Sequence, residues 1–211
     1  MRNQNISSER QNAIENWESQ MDDSSKEGTI NLFLDLNGLI CLRVDGSSPS
    51  ISGIKELKVF KDKLYLRPRE EVEELLDYLS KRTVLSIYSS MTMKNITPLL
   101  KHYQLKDRFR FILSREYTQL DPEYGGDPDI SAHATIKTVG AIIKNPVING
   151  DRKLNIENVL ICDDSFSKLR FNNPNNILIV EPWNPLDDGA ANLEQMKRMI
   201  DEKIERMRGL V

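Results

Sequence analysis

Three short polar stretches in this sequence each follow an apolar run. Asp35-Leu36-Asn37-Gly38 follows Ile30-Asn31-Leu32-Phe33-Leu34, Ser89-Ser90 follow Thr83–Tyr88, and Asp163-Asp164-Ser165 follow Val159-Leu160-Ile161-Cys162. Singly, each has an ordinary structural reading. An Asp at a strand end makes a turn, a Ser pair caps a helix, and a lone Lys144 is a solvated charge. Together they suggest chemistry. Two acidic strand ends held side by side repel unless a cation lies between them. Mg²⁺ suits that position because it takes hard oxygen ligands and keeps several waters. A hydroxyl and a lysine nearby complete a phosphate cradle. This is the minimum kit for phosphoryl transfer to a carboxylate.

The elements that must position these residues follow from periodicity. The runs 30–34, 83–88, 109–113, 159–162 and 177–180 read as strands. Short β-like runs at 41–44 and 63–66 flank a Ser/Gly/Pro loop at 45–53, a hairpin-like excursion. Pro68 is placed to open a helix as its first residue. Glu70, Glu71, Glu73 and Glu74 load the early turns, and Val72, Leu75, Leu76 and Leu79 form the apolar stripe. A helix or turn around 134–143 leads to Lys144, and further helices are predicted over about 92–103 and over about 190–208. The last carries Leu193, Met196, Ile200, Ile204 and Met207 on one face. Residues 117–135 read as irregular. Strands alternating with helices imply an α/β fold with a mostly parallel, doubly wound sheet. Such sheets bind ligands at the C-terminal ends of their strands, where all three polar stretches would meet.

Bulk properties narrow the function. The 211 residues suffice for one sizeable α/β domain, and 39% hydrophobic with 29% charged residues is an ordinary globular balance. A net charge of −3 gives no basic field, so nucleic acid is not an expected partner. No stretch approaches the roughly 20 apolar residues of a membrane span, and residues 1–28 lack the apolar core of a secretory signal. Cys41 and Cys162 lie in apolar runs and read as buried thiols of a reducing compartment. With His102 and His133 far apart, they give no zinc signal. The expected setting is intracellular and soluble, with nucleus, cytoplasm and mitochondrion left open. Residues 1–28, with a short helix around 9–21, read as a tail or interaction segment.

The ordered set Asp35-Leu36-Asn37-Gly38, Leu66-Arg67-Pro68, Ile87-Tyr88-Ser89-Ser90, Lys144 and Leu160-Ile161-Cys162-Asp163-Asp164-Ser165 resembles a known family. It is similar to the phosphatase domain of the NLI-interacting-factor/TFIIF-associating CTD-phosphatase group of the haloacid-dehalogenase (HAD) superfamily. The resemblance covers residues 29–187, with 188–211 as a C-terminal helix packed on or extending the domain. It implies a HAD-like sheet with a β-hairpin flap over 41–66, a short insert over 115–135 and no large cap domain. It further implies a Mg²⁺-dependent phosphatase of phosphoserine or phosphothreonine in a protein or peptide. Asp35 would be the nucleophile, and Asp35, the Asn37 carbonyl and Asp163 would hold the metal, with Asp164 positioning its waters. Ser89, or Ser90 if the register slips by one, and Lys144 would bind phosphoryl oxygens. Lys137 and Lys153 are alternatives to Lys144. Tyr117 and Tyr124 of the insert stand where a peptide would be contacted.

The family's first motif ordinarily carries a second Asp, as general acid and base, where this chain has Asn37. An amide has no proton to exchange near neutral pH. General acid–base catalysis is worth about 10²–10⁴-fold, or roughly 3–5 kcal/mol of barrier. Two readings follow. One is a working phosphatase weakened by Asn37. The other is a pseudophosphatase serving as a binding or scaffold subunit, as in the receptor subunit of the mitochondrial presequence translocase. In the second, the N-terminal segment or the Met-bearing C-terminal helix would dock partner proteins.

Overall fold

The computed structural model describes residues 29–43, 59–60, 64–124, 134–150, 153–186 and 189–209. The expected 9–21 helix, the 45–53 loop and His133 lie outside them. Along the chain come β1 (Ile30–Leu34), β2 (Cys41–Arg43), β3 (Val59–Phe60), β4 (Leu64–Leu66), α1 (Arg69–Ser80), β5 (Thr83–Tyr88) and α2 (Met93–Tyr103). There follow β6 (Ile112–Leu113), β7 (Gln119–Leu120), β8 (Thr135–Ile136), α3 (Val139–Lys144), α4 (Pro146–Asn149), β9 (Val159–Asp163), α5 (Phe166–Leu169), β10 (Ile177–Ile179) and α6 (Gly189–Met207).

Five strands form one sheet in the order β10-β9-β1-β5-β6, with every neighbouring pair parallel. Sequence and burial explain why β1 is central. All five of its residues are buried, as expected of a strand covered on both faces. Ile30, Leu32 and Leu34 alternate onto one face, against α1, α2 and α6. Phe33 turns to the other, with Ile142 of α3, Ile148 of α4 and Leu169 of α5. The stripes expected of α1 and α6 are the ones buried: Val72, Leu75, Leu76 and Leu79, then Leu193, Met196, Ile200 and Ile204. The apolar face of α6 is therefore consumed by the core and is not open for docking.

A second sheet, β2-β4-β3, is antiparallel and forms the expected excursion. Several boundaries differ from the sequence reading. Pro68 is the N-cap of α1 rather than its first turn residue: its carbonyl accepts the Val72 N–H at 3.2 Å. The 109–113 run is regular strand only at Ile112–Leu113, although the Arg110 N–H still donates to the Leu85 carbonyl and the Phe111 carbonyl accepts the Ile87 N–H, each at 2.8 Å. Residues 117–135, expected to be irregular, contribute the antiparallel pair β7-β8. The helix or turn placed around 134–143 is a helix only from Val139, because Thr135–Ile136 pair with Gln119–Leu120. That shift matters for the site. Among the described residues no helix is long and apolar enough to cross a membrane.

Candidate active site

The chain runs from β1 outward to β5 and β6, then returns to the opposite side of β1 for β9 and β10. The order thus reverses between β1 and β9, which opens a crevice at their C-terminal ends. Asp35 and Asp163 stand there. The register pairs Leu34 with Cys162, so Asp35 and Asp163 are next in line on adjacent strands. The Asp35 N–H donates to the Cys162 carbonyl at 2.9 Å. Both carboxylates are withdrawn from solvent, at 1% and 0% exposure.

Asp164 completes an acidic trio, each member offering a carboxylate oxygen within 4.8 Å of the others. Gly38 makes room for it. Its φ is +83°, and a Cβ there would lie 2.8 Å from Asp164 Cβ and closer still to the carboxylate. Only glycine meets both conditions. Burial pushes the Asp164 carboxyl up to about 7, reinforced by its hydrogen bond to Asp163 and by the Asp163 and Asp35 charges. Its buried Oδ1 has no hydrogen-bond partner. Three converging carboxylates with an orphaned oxygen fit a hard divalent cation.

Two lysines face this trio. Lys137 is fully buried, its Nζ 2.5 Å from Asp163 Oδ2 and 3.1 Å from Asp35 Oδ2. Lys168 of α5 keeps a quarter of its side chain exposed, with Nζ 3.4 Å from Asp35 Oδ2 and 3.7 Å from Asp163 Oδ1. The pair is joined through the backbone, since the Lys137 N–H donates to the Lys168 carbonyl at 2.8 Å. Burial alone would raise the Asp35 carboxyl. Lys137 and Lys168, with the Ser89 hydroxyl and the Leu36 N–H, overcome it and hold Asp35 below the usual carboxylate range. Burial opposes the Lys168 charge, yet Asp35, Asp163 and Asp164 keep its ammonium above the ordinary lysine range. Asp163 Oδ1 also accepts the Ser165 N–H at 2.9 Å, which fixes the turn into α5.

Ser89, at the end of β5, is buried and bonds to Asp35, while its Oγ accepts the Met91 N–H at 3.3 Å. Ser90 lies one step further out and is occupied by Thr135, whose hydroxyl donates to Ser90 Oγ at 3.1 Å. Asn37 is half-buried, and its Oδ1 accepts the Arg43 N–H of β2 at 2.8 Å. The amide thus ties the β1 loop to the first strand of the excursion.

The structure brings together Asp35, Asn37, Ser89, Asp163 and Asp164, but not Lys144. That residue ends α3, exposed to solvent, because the chain forms β8 before the helix and so delivers Lys137 to the crevice instead. Lys153 is exposed ahead of β9, at the opposite end of that strand. Sequence reasoning missed Lys168. Its cue was the i,i+4 spacing from Asp164 at a helix start. Of the two insert tyrosines, Tyr117 is exposed and its carbonyl accepts the Tyr88 hydroxyl at 2.9 Å, whereas the Tyr124 side chain lies outside the described ones.

The sequence model of the NLI interacting factor-like phosphatase family matches residues 30–208. Two similar solved structures carry the same fold. One is Fcp1, an essential RNA polymerase II CTD phosphatase, at 16% identity and a TM-score of 0.51 over 88% of this chain and 52% of that one. The other is the fission yeast RNA polymerase II CTD phosphatase Fcp1-R271A bound to beryllium fluoride, at 14% identity and a TM-score of 0.50 over 92% and 53%. The chain spans about half the length of these proteins. No curated protein matches it.

Proposed function

We propose, from the premise that this chain belongs to the NLI interacting factor-like phosphatase family of HAD-fold proteins, that it is a Mg²⁺-dependent phosphatase of phosphoserine or phosphothreonine in a protein or peptide. One observation carries the reading: Asp35 is buried at the sheet's switch point with Asp163, Asp164 and Lys137 gathered around it.

In this mechanism Asp35, held ionised, attacks phosphorus and the ester P–O bond breaks, leaving an aspartyl-phosphate. Water then attacks phosphorus, releasing phosphate and restoring the carboxylate. Lys137 binds a phosphoryl oxygen and holds Asp35 and Asp163 in register, and Ser89 donates to a second oxygen. Asp35, Asp163 and the Asn37 carbonyl would hold Mg²⁺, with Asp164 orienting its waters. The cation, when bound, would neutralise charge on the phosphoryl group. The proton for the leaving alkoxide comes from water, since Asn37 has none to give.

The test is a phosphatase assay in Mg²⁺ on the wild type beside Asp35→Asn. The expected result is Asp35-dependent turnover. Activity that survives the substitution would sink the assignment.

A second reading is favoured by the Asn37–Arg43 hydrogen bond. In it the residue at the acid/base position serves only to hold the excursion, and the chain is a pseudophosphatase that binds a partner protein. A wild type without turnover that co-purifies stoichiometrically with a partner would select this reading.

A further inference from the structure

Among the described residues, the second lysine at the crevice has a geometry unlike the first. Lys137 is fully buried, and two of its three donors are committed to carboxylates at 2.5 and 3.1 Å. Charge-assisted N–H···O bonds are typically about 2.7–2.9 Å. Lys168 makes one longer hydrogen bond, 3.4 Å to Asp35 Oδ2, and stands 3.7 Å from Asp163 Oδ1, while a quarter of its side chain meets solvent. It is attracted by the carboxylates without being used up by them.

Its position is nevertheless built. The Lys168 N–H donates to the Ser165 carbonyl, and its own carbonyl accepts the Lys137 N–H. Asn172 links the same two segments, donating to the carbonyls of Lys137 and Leu169 and accepting the Val139 N–H. Next along, Arg170 reaches the opposite way to Asp121 and Glu123 of the insert. The short helix α5 is thus braced on both sides, and Lys168 stands at the crevice mouth on a fixed backbone.

We propose that Lys168 is a second phosphoryl-oxygen ligand of this site, meeting the substrate's phosphate from the solvent side while Lys137 meets it from within. The inference rests on the phosphatase reading above. Charge balance supports it. The three carboxylates and two ammonium groups sum to one negative charge when all are ionised. With a divalent cation bound, one lysine would leave the site neutral, and only both lysines give it the net positive charge that attracts a phosphate dianion. A donor that is placed, charged and only loosely engaged incurs little reorganisation when the phosphoryl group arrives.

The experiment measures binding of beryllofluoride with Mg²⁺ by ¹⁹F NMR in the full chain, comparing wild type, Lys168→Met, Lys168→Arg and Asp35→Asn. Mg²⁺ affinity without fluoride and thermal unfolding are recorded for each. Lys168→Met should weaken beryllofluoride binding by about tenfold or more, the scale of one lost charged donor. Lys168→Arg should retain most of it. Mg²⁺ affinity in Lys168→Met should stay level or tighten, because a competing cation has gone. Unchanged fluoride binding in Lys168→Met would overturn the role, as would an equal loss in both variants that tracks weakened Mg²⁺ binding and a lowered Tm. A wild type that forms no Asp35-dependent adduct would overturn the phosphatase reading itself.

Discussion

Asn37 stands two residues beyond Asp35, and its side chain is already employed. Its Oδ1 accepts the Arg43 N–H at 2.8 Å, a bond that a carboxylate could make equally well. Asn37→Asp therefore should keep the tether while adding a titratable acid near the leaving group. A phosphoserine peptide releases a poor alkoxide that needs a proton; an aryl phosphate does not. We expect Asn37→Asp to raise phosphoserine-peptide turnover by about 10²-fold or more and aryl phosphate turnover far less. Equal gains on the two substrates would show that proton supply is not what Asn37 withholds. Gly38 is similarly constrained. With φ at +83° and Asp164 against its Cα, Gly38→Ala must both strain the backbone and displace a carboxylate. It should lower stability by about 1–2 kcal/mol for the backbone alone, read as a lower midpoint in urea, and also weaken Mg²⁺ binding. Full Mg²⁺ affinity in Gly38→Ala would mean that Asp164 moves aside freely.

Among the elements, the short helix α5 holds much of the site. Four residues, Phe166–Leu169, bury Leu169 in the second core layer and aim Lys168 at the carboxylates. Arg170, immediately after, donates to Asp121 Oδ1 at 2.5 Å and to Glu123 Oε2 at 2.9 Å. The insert strands β7 and β8 pair over only two residues each. A two-residue ladder is marginal by itself, so its order depends on such ties. Arg170→Ala should speed amide hydrogen exchange at Gln119 and Leu120 while leaving β1 and β9 protected. Unaltered exchange at those two amides would show that the ladder stands without the Arg170 clamp. The excursion at β2–β4 is held differently. Tyr103 of α2 donates to the Arg67 carbonyl at 2.7 Å and the Ile40 carbonyl at 3.3 Å. Arg67, fully buried, donates to Asn192 of α6 at 2.5 Å.

At the scale of the whole molecule, the sheet has helices on both faces and the site on one rim. One core layer joins β1, β5 and β9 to α1, α2 and α6; the other joins them to α3, α4 and α5. Ile200 of α6 is fully buried in the first layer. Ile200→Ala should cost about 2–5 kcal/mol, measured as a shift in the urea midpoint. A cost below about 1 kcal/mol would place α6 outside the cooperative unit.

Local pattern determined much of this protein. Apolar runs ending in Asp35, Ser89 and Asp163 marked the strands and their functional ends, because a strand buried on both faces is mostly apolar until it leaves the sheet. The 3.6-residue stripes of α1 and α6 were equally legible, since core-facing helices must repeat that way. The identity of the crevice lysines was not. Lys137, Lys144 and Lys153 are alike in sequence. Only the pairing of β8 with β7, a contact between segments 16 residues apart, decides which one is buried beside Asp35. Lys168 and the Asn37 tether depended likewise on how separate segments meet. Charge and hydrogen-bond partners are properties of distance in space, and only the folded chain settles those distances.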